Sequence, residues 1–297
     1  MFSHDQAFKN LIVEYMRSAL TFLFPELTAS WPDNVSIEPI RQEQLKQRMG
    51  DSFRELDVPL EIKFMDGSRE ALIVVIETES RNRADFLKYL AIVCIHISMQ
   101  KKTNRVVPAV LYPFRRKPLT GRFTLNDDKR NYLDFSCVSC VLRRMNAREY
   151  ERSRNIVARL CLPLMAHDPA DKFRLITSAY EGLLELEPDF GKQVKYSEFI
   201  LHYAKLEKKE KKELFEKYVN RSRYREKIMS LASILKEEGK AEGKAEGKAE
   251  GLISMVLSLH EMKKLSASDA RAQLKLLVEQ GVAPKTMVAQ ALRKIGK

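Results

Sequence analysis

Phe8, Leu11, Ile12, Tyr15, Ala19 and Phe22 recur at steps of three and four, the period of one helical face. Ser3 and Gln6 stand before them at capping-box spacing, so the pattern predicts a first amphipathic helix that ends before Pro25. After the turn-forming run Trp31-Pro32-Asp33-Asn34, residues 35–40 read as a short strand and residues 53–64 as a longer one. Asp66-Gly67 is the best hairpin signal in the chain, and 71–78 is a nearly continuous apolar run, as in a strand buried on both faces. Asn82, with Asp85 three residues on, predicts a helix running to about Gln100. Residues 105–112 and 132–142 read as two further strands, which gives the order α-β-β-β-α-β…β.

From Asn146 the pattern changes to helices, with Asn146 and Asp168 as N-caps and Pro169 at a first helical position. The expected fold class is therefore α/β, a mixed central sheet with flanking helices, followed by an all-α C-terminal region. Its expected parts are a core over 1–145, a helical region over 146–237, a repeat spacer over 238–251 and a small helical tail over 252–297. The spacer is EGKAEGKAEGKAEG, a repeat of period four. On a helix its lysines stack at i,i+4, as do its glutamates, while unlike charges fall two apart and cannot pair. Glycine at every fourth position costs up to ~1 kcal/mol each against alanine. The tract reads as a weak helix or flexible spacer, or alternatively as a close helix–helix seam along a glycine stripe.

Composition adds two limits. A hydrophobic fraction of 44% supports a packed core, and the greasiest run, 90–97, is eight residues, far short of the ~18 of a membrane span. The start of the chain lacks a basic segment followed by an apolar one, and four cysteines are too few for a disulfide scaffold, so the expectation is a cytoplasmic protein with reduced thiols and no membrane. Charge changes the picture more. The chain carries +12, and residues 81–160 hold eighteen Lys and Arg against six acids, a surplus equal to that of the whole chain. A field so concentrated attracts polyanions, nucleic acid foremost. The bland alternative is a set of solvated faces spread around the surface. Arg115-Arg116-Lys117, between Pro113 and Pro118, reads as a loop suited to phosphate contacts, with Arg81 and Arg83 as further DNA-binding candidates.

The chemically suggestive stretch runs from Asp57 to Glu79. If Asp66-Gly67 closes a hairpin, paired positions sum to about 134–136, which sets Asp57 opposite residues 77–79 and on one face with Glu77 and Glu79. Crowded carboxylates at an apolar strand end need a cation or a proton. Oxygen ligands of this kind suit Mg²⁺. The alternative is that Glu77 and Glu79 mark the strand leaving the core. Glu61-Ile62-Lys63 spells ExK but lies on the strand of Asp57, about 13 Å along it, and reads as solvent-face charge.

His4-Asp5-x-x-Phe8-Lys9, Arg54-Glu55-Leu56-Asp57, Ile76-Glu77-x-x-Ser80 and the Gly-Lys-Ala-Glu repeat together resemble one family. It is the recombination-promoting nuclease and transposase-like branch of the PD-(D/E)XK phosphodiesterase superfamily. The resemblance covers roughly 1–145 and the repeat. It implies a restriction-endonuclease-like αβββαβ core and a DNA endonuclease dependent on Mg²⁺ or Mn²⁺. By position it makes Asp57 and Glu77 the metal-binding acids and sets Glu79 as the third catalytic residue, where the superfamily has lysine and this branch often glutamine. Lys88-Tyr89 is the candidate for the basic and aromatic pair of the following helix, in a register shorter than the family's. Asp5 and Lys9, one turn apart, are supporting candidates, or an ordinary i,i+4 surface pair. The departures leave a catalytically degenerate, nucleic-acid-binding or protein-interaction relative as the alternative, with a homo-oligomer formed through the helical C-terminal region as a further partner.

Other chemistries find little support. Cys137-x-x-Cys140 has no second cysteine pair, and His4, His96, His167, His202 and His260 form no HxxxH or HExxH spacing. His96 reads as a core residue of an apolar helix. The repeat lacks GxxxxGK[ST] and follows no strand, which disfavours ATP and NAD chemistry.

Overall fold

The computed structural model describes residues 4–40, 58–65, 67–76, 86–117 and 122–295, with Asp5, 69–76, Glu238, Ala241, Glu242 and Glu246 described by their backbone. It is mixed α/β, about 63% helical and 14% strand, so its sheets are small and helices supply most of the mass. The chain divides into two units, Met1–Ile228 and Met229–Lys297.

In the first unit, α1 (His4–Glu14) and α2 (Met16–Leu23) replace the single first helix expected through Phe22. The break is at Tyr15, whose backbone leaves the helical region (φ −128, ψ 43) and whose hydroxyl donates to Glu187. A short α3 (Pro25–Thr28) starts at Pro25, where a missing N–H costs nothing. Strands β1 (Ser36–Pro39), β2 (Val58–Lys63) and β3 (Arg69–Ile76) follow, then α4 (Phe86–Lys101) and β4 (Val106–Tyr112). Next come β5 (Arg122–Asn126), β6 (Asn131–Ser136) and β7 (Val138–Val141).

Five of these strands form one sheet in the order β1-β2-β3-β4-β7, antiparallel across β1-β2-β3 and parallel across β3-β4-β7. Residues 71–76 of the apolar run expected at 71–78 belong to the central strand, and 77–78 lie outside the described residues. The strand expected over 132–142 splits at Cys137. Its first half pairs with β5 in a separate two-stranded sheet, and its second half joins β4. The two halves therefore bond to different partners, and β5 carries no strand signal in its sequence because Arg-Phe-Thr-Leu-Asn is short, polar and mostly exposed.

Both faces of the sheet are covered. Helix α4 packs on one, where Phe86, Leu90, Val93 and Ile97 form a cluster with Val110, Tyr112 and Val141. Helix α1 packs against β2 and β3, with Phe8, Leu11 and Ile12 of α1 and Val58, Leu60 and Ile62 of β2 all within 2% of full burial. His96 on α4 is half-buried rather than a core residue.

The helical region begins at Asn146, whose side chain accepts from Arg148 N–H and caps α5 (Ala147–Tyr150). Asn155 caps α6 (Ile156–Leu160), and Asp168 accepts from Ala170 N–H with Pro169 next to it. Then come α7 (Lys172–Leu186), α8 (Phe190–Ala204) and α9 (Lys208–Glu213). Helix α10 (Arg225–Glu261) carries the whole period-four repeat. In the second unit, α11 (Ala267–Glu279) and α12 (Lys285–Ile295) pack with Ala249, Ile253 and Val256 of α10. Cys94, Cys137, Cys140 and Cys161 are free thiols. Among the described residues no helix is long and apolar enough to cross a membrane.

Candidate functional site

The candidate site begins with one end of the sheet. Val58 opens β2 and pairs with Val74, Ile76 closes β3 and pairs with Leu111, and Tyr112 closes β4. The start of β2 and the ends of β3 and β4 therefore lie side by side. The chain bends after Tyr112 through Pro113–Lys117, so the loop expected at Arg115-Arg116-Lys117 is present, with Arg115 half-buried and Arg116 and Lys117 exposed. Phe114 in this bend packs edge-on against His4 (5.1 Å) and Phe8 (6.3 Å), which brings the first turns of α1 to the same end. Lys9 follows Phe8 there, and Asp5 belongs to the same turns. Lys88 is exposed in the first turn of α4. Asp57, Glu77, Glu79, Arg81 and Arg83 lie outside the described residues.

The hairpin register differs from the expected one. Pairs Val58↔Val74 through Lys63↔Arg69 sum to 132 rather than 134–136. The cause is the turn: Phe64 N–H donates to Ser68 O (3.0 Å), extending the ladder, and Gly67 N–H closes back on Phe64 O (3.0 Å). Three positions remain in the loop, and Gly67 at φ +80 takes the left-handed conformation such loops require. The expected pairing of Asp57 with 77–79 thus moves by two or more positions. The sum stays even, so odd-numbered positions of both strands keep a common face.

Glu61 is a correction to the expected solvent-face charge. It is 6% exposed and pairs with Lys101 at the end of α4 (3.2 Å), with Lys63 at 3.9 Å. Through Glu61↔Ala71 and Ala71↔Val106, it falls on the face that α4 covers. Apolar α4 packs there, and its terminal lysine supplies the countercharge. Glu61 is three positions from Val58, about 10 Å further from the candidate end of the sheet. Lys63 instead bonds Glu38 across β1 (2.5 Å).

The basic surplus over 81–160 is not one surface. Lys101 is bound to Glu61, Arg122 donates to Asp134 (2.7 Å), and Arg148 donates to Asp171 (2.7 Å). Arg159 is 6% exposed. The carboxylate partners show the expected response: Arg122 holds the Asp134 carboxyl below the usual range, and Arg148 with Arg174 does so for Asp171. At the candidate end a polyanion still meets Arg116 and Lys117 of the loop, with exposed Lys88 on α4 and exposed Arg143 and Arg144 directly after β7, whose Val141 pairs with Tyr112.

Sequence reasoning missed the His4–His202 contact. Their rings lie 5.1 Å apart, with His4 Nδ1 at 3.2 Å from the Tyr203 hydroxyl. Burial, then the charges of His4 and Lys205, lowers the His202 pKa. Two histidines 198 residues apart leave no spacing signal. Among the described residues no group of three or more His, Cys, Asp or Glu could hold a metal. Compared with known proteins, the chain matches no protein-family model, no curated protein and no solved structure.

Proposed function

We propose that this protein is a DNA endonuclease dependent on Mg²⁺ or Mn²⁺, of the PD-(D/E)XK type that its motifs resemble. The observation that carries the reading is the β2–β3 ladder. Asp57 directly precedes β2 and Glu77 directly follows β3, and the described strands bring those two termini to one end of the sheet with an even register. The donor set fits a hard divalent cation: carboxylate oxygens, with no sulfur or imidazole required. Asp57 and Glu77 would hold it, and Glu79 would be a third ligand or orient water. Once bound, such a cation activates water and offsets charge developing on a phosphodiester. Arg115, Arg116 and Lys117, joined by Arg81 and Arg83, would bind the DNA backbone without reading sequence. Lys9, Asp5 and Lys88 would support the site from α1 and α4.

The expected result is Mg²⁺- or Mn²⁺-dependent nicking or cutting of DNA, lost on chelation and in Asp57→Ala and Glu77→Ala. Wild-type protein that leaves duplex, single-stranded and branched DNA intact overturns the proposal. Glu79, where a lysine or glutamine is expected, favours a second reading in which the site is degenerate and the protein binds nucleic acid. That reading expects salt-sensitive binding indifferent to Asp57→Ala.

A further inference from the structure

A cleft of about 780 Å³ opens in the helical region of the first unit, between the 151–154 turn, α7 and residues 218–223. Its size is that of a small-molecule site. Six arginines line it: Arg152, Arg154, Arg159, Arg174, Arg221 and Arg223. Three acids line it too, and all three are engaged. Glu151 takes Arg174, Glu185 takes Arg223 (3.4 Å), and Glu181 accepts from the Ser222 hydroxyl (2.6 Å). Arg152, Arg154, Arg159 and Arg221 therefore have no carboxylate partner among the described residues.

Arg159 makes this a built site rather than a basic surface. Its side chain is 6% exposed, one terminal nitrogen donates to Ser178 O (2.5 Å), and its Nε has no partner. It crosses α7 directly over Gly182, where a Cβ would stand 2.5 Å from Nε, 2.7 Å from Cβ and 2.8 Å from Cγ. Glycine is thus the residue that lets a guanidinium lie in the floor of the cleft. Burial works against its charged form and lowers its pKa, yet a guanidinium stays protonated. The nearby carboxylates of Glu185, Glu181 and Glu151 act on it in the opposite sense without a direct bond, and an anion in the cleft would give this buried charge a direct partner.

We propose that this cleft binds a small organic di- or triphosphate. Six guanidinium groups against three carboxylates leave the lining with a surplus of three positive charges, which calls for a ligand with more than one negative charge, and their planar forks match phosphate oxygens two at a time. The Tyr218 ring, packed on Phe173 (centroids 5.3 Å), adds an aromatic wall for the organic part. This inference is independent of the nuclease reading, because none of the cleft residues belongs to the candidate metal set.

Isothermal titration of the full chain without divalent cations tests it, with ATP and inorganic pyrophosphate as probes and sodium sulfate at matched ionic strength as control. The expected result is one saturable site per chain for both probes. Affinity should fall tenfold or more in Arg154→Ala/Arg221→Ala, two exposed positions whose truncation leaves the packing intact, and stay within twofold in Asp57→Ala. No saturable binding, equal binding of sulfate, or indifference to the double substitution overturns the proposal. It is also overturned if duplex DNA displaces ATP and the double variant loses both together, since the cleft would then hold nucleic-acid phosphate.

Discussion

Glu61 shows how a charge is tolerated inside a sheet. Its carboxylate is shielded by α4 and answered by Lys101, which reaches in from the last turn of that helix and is itself about a quarter exposed. Removing the lysine leaves the acid in place with less to answer it, and a buried polar group robbed of a partner costs about 1–3 kcal/mol. Lys101→Met should therefore lower stability by that amount in urea denaturation, and Glu61→Gln by less. Neither change should abolish the proposed cleavage. If Glu61→Gln removes cleavage as completely as Asp57→Ala, Glu61 belongs to the catalytic set. Sequence gave no hint of this burial, because an alternating Leu-Glu-Ile-Lys reads as one wet face until a helix is found covering it.

At the level of elements, the docking of α1 on α8 sets a pH dependence. His4 and Phe8 of α1 meet Phe199, His202 and Tyr203 of α8, with Phe114 between them. Folding depresses His202 below its ordinary value of 6.5, so the unfolded chain binds the proton more readily than the folded one. Stability contributed by the neutral ring is present above that value and is lost as pH falls from 6.5 toward the folded pKa. Melting temperature should drop between pH 8 and pH 5.5, and His202→Gln should flatten that slope. An unchanged slope assigns the dependence to other groups. The strands that pack on helices were legible at this scale: β3 and β4 follow runs of apolar residues, and the caps at Asn146 and Asp168 follow side-chain chemistry. The break at Tyr15 and the division at Cys137 were not, since each depends on a distant partner, Glu187 in one case and β4 in the other. For the candidate site, the sheet end and its basic loop were readable from local pattern. The register was misread by two or more positions, because turn geometry, not strand composition, fixes it.

For the molecule as a whole, charge proved less uniform than its sum. The basic stretch divides among internal ion pairs, the loop at the sheet end and the arginine cleft, which also draws on residues beyond 160. The second unit rests on a helix weakened at regular intervals. Gly239, Gly243, Gly247 and Gly251 meet nothing within 4 Å of where a Cβ would stand. Replacing all four by alanine should stabilise α10 by roughly 3 kcal/mol, read as a higher melting temperature with an unchanged mass in light scattering. A fall in mass would mean that the glycines form a seam between copies.

The period of that repeat has a geometric consequence. Four residues advance a helix by about 6 Å and turn it through about 400°, or some 40° past a full revolution. Adding or deleting one Gly-Lys-Ala-Glu unit would keep every backbone bond of α10 intact. It would nevertheless rotate the azimuth of Ala249, Ile253 and Val256 by that 40° relative to the helix before the repeat. The tract is thus a vernier as well as a rod, in which length and angular phase change together in fixed steps.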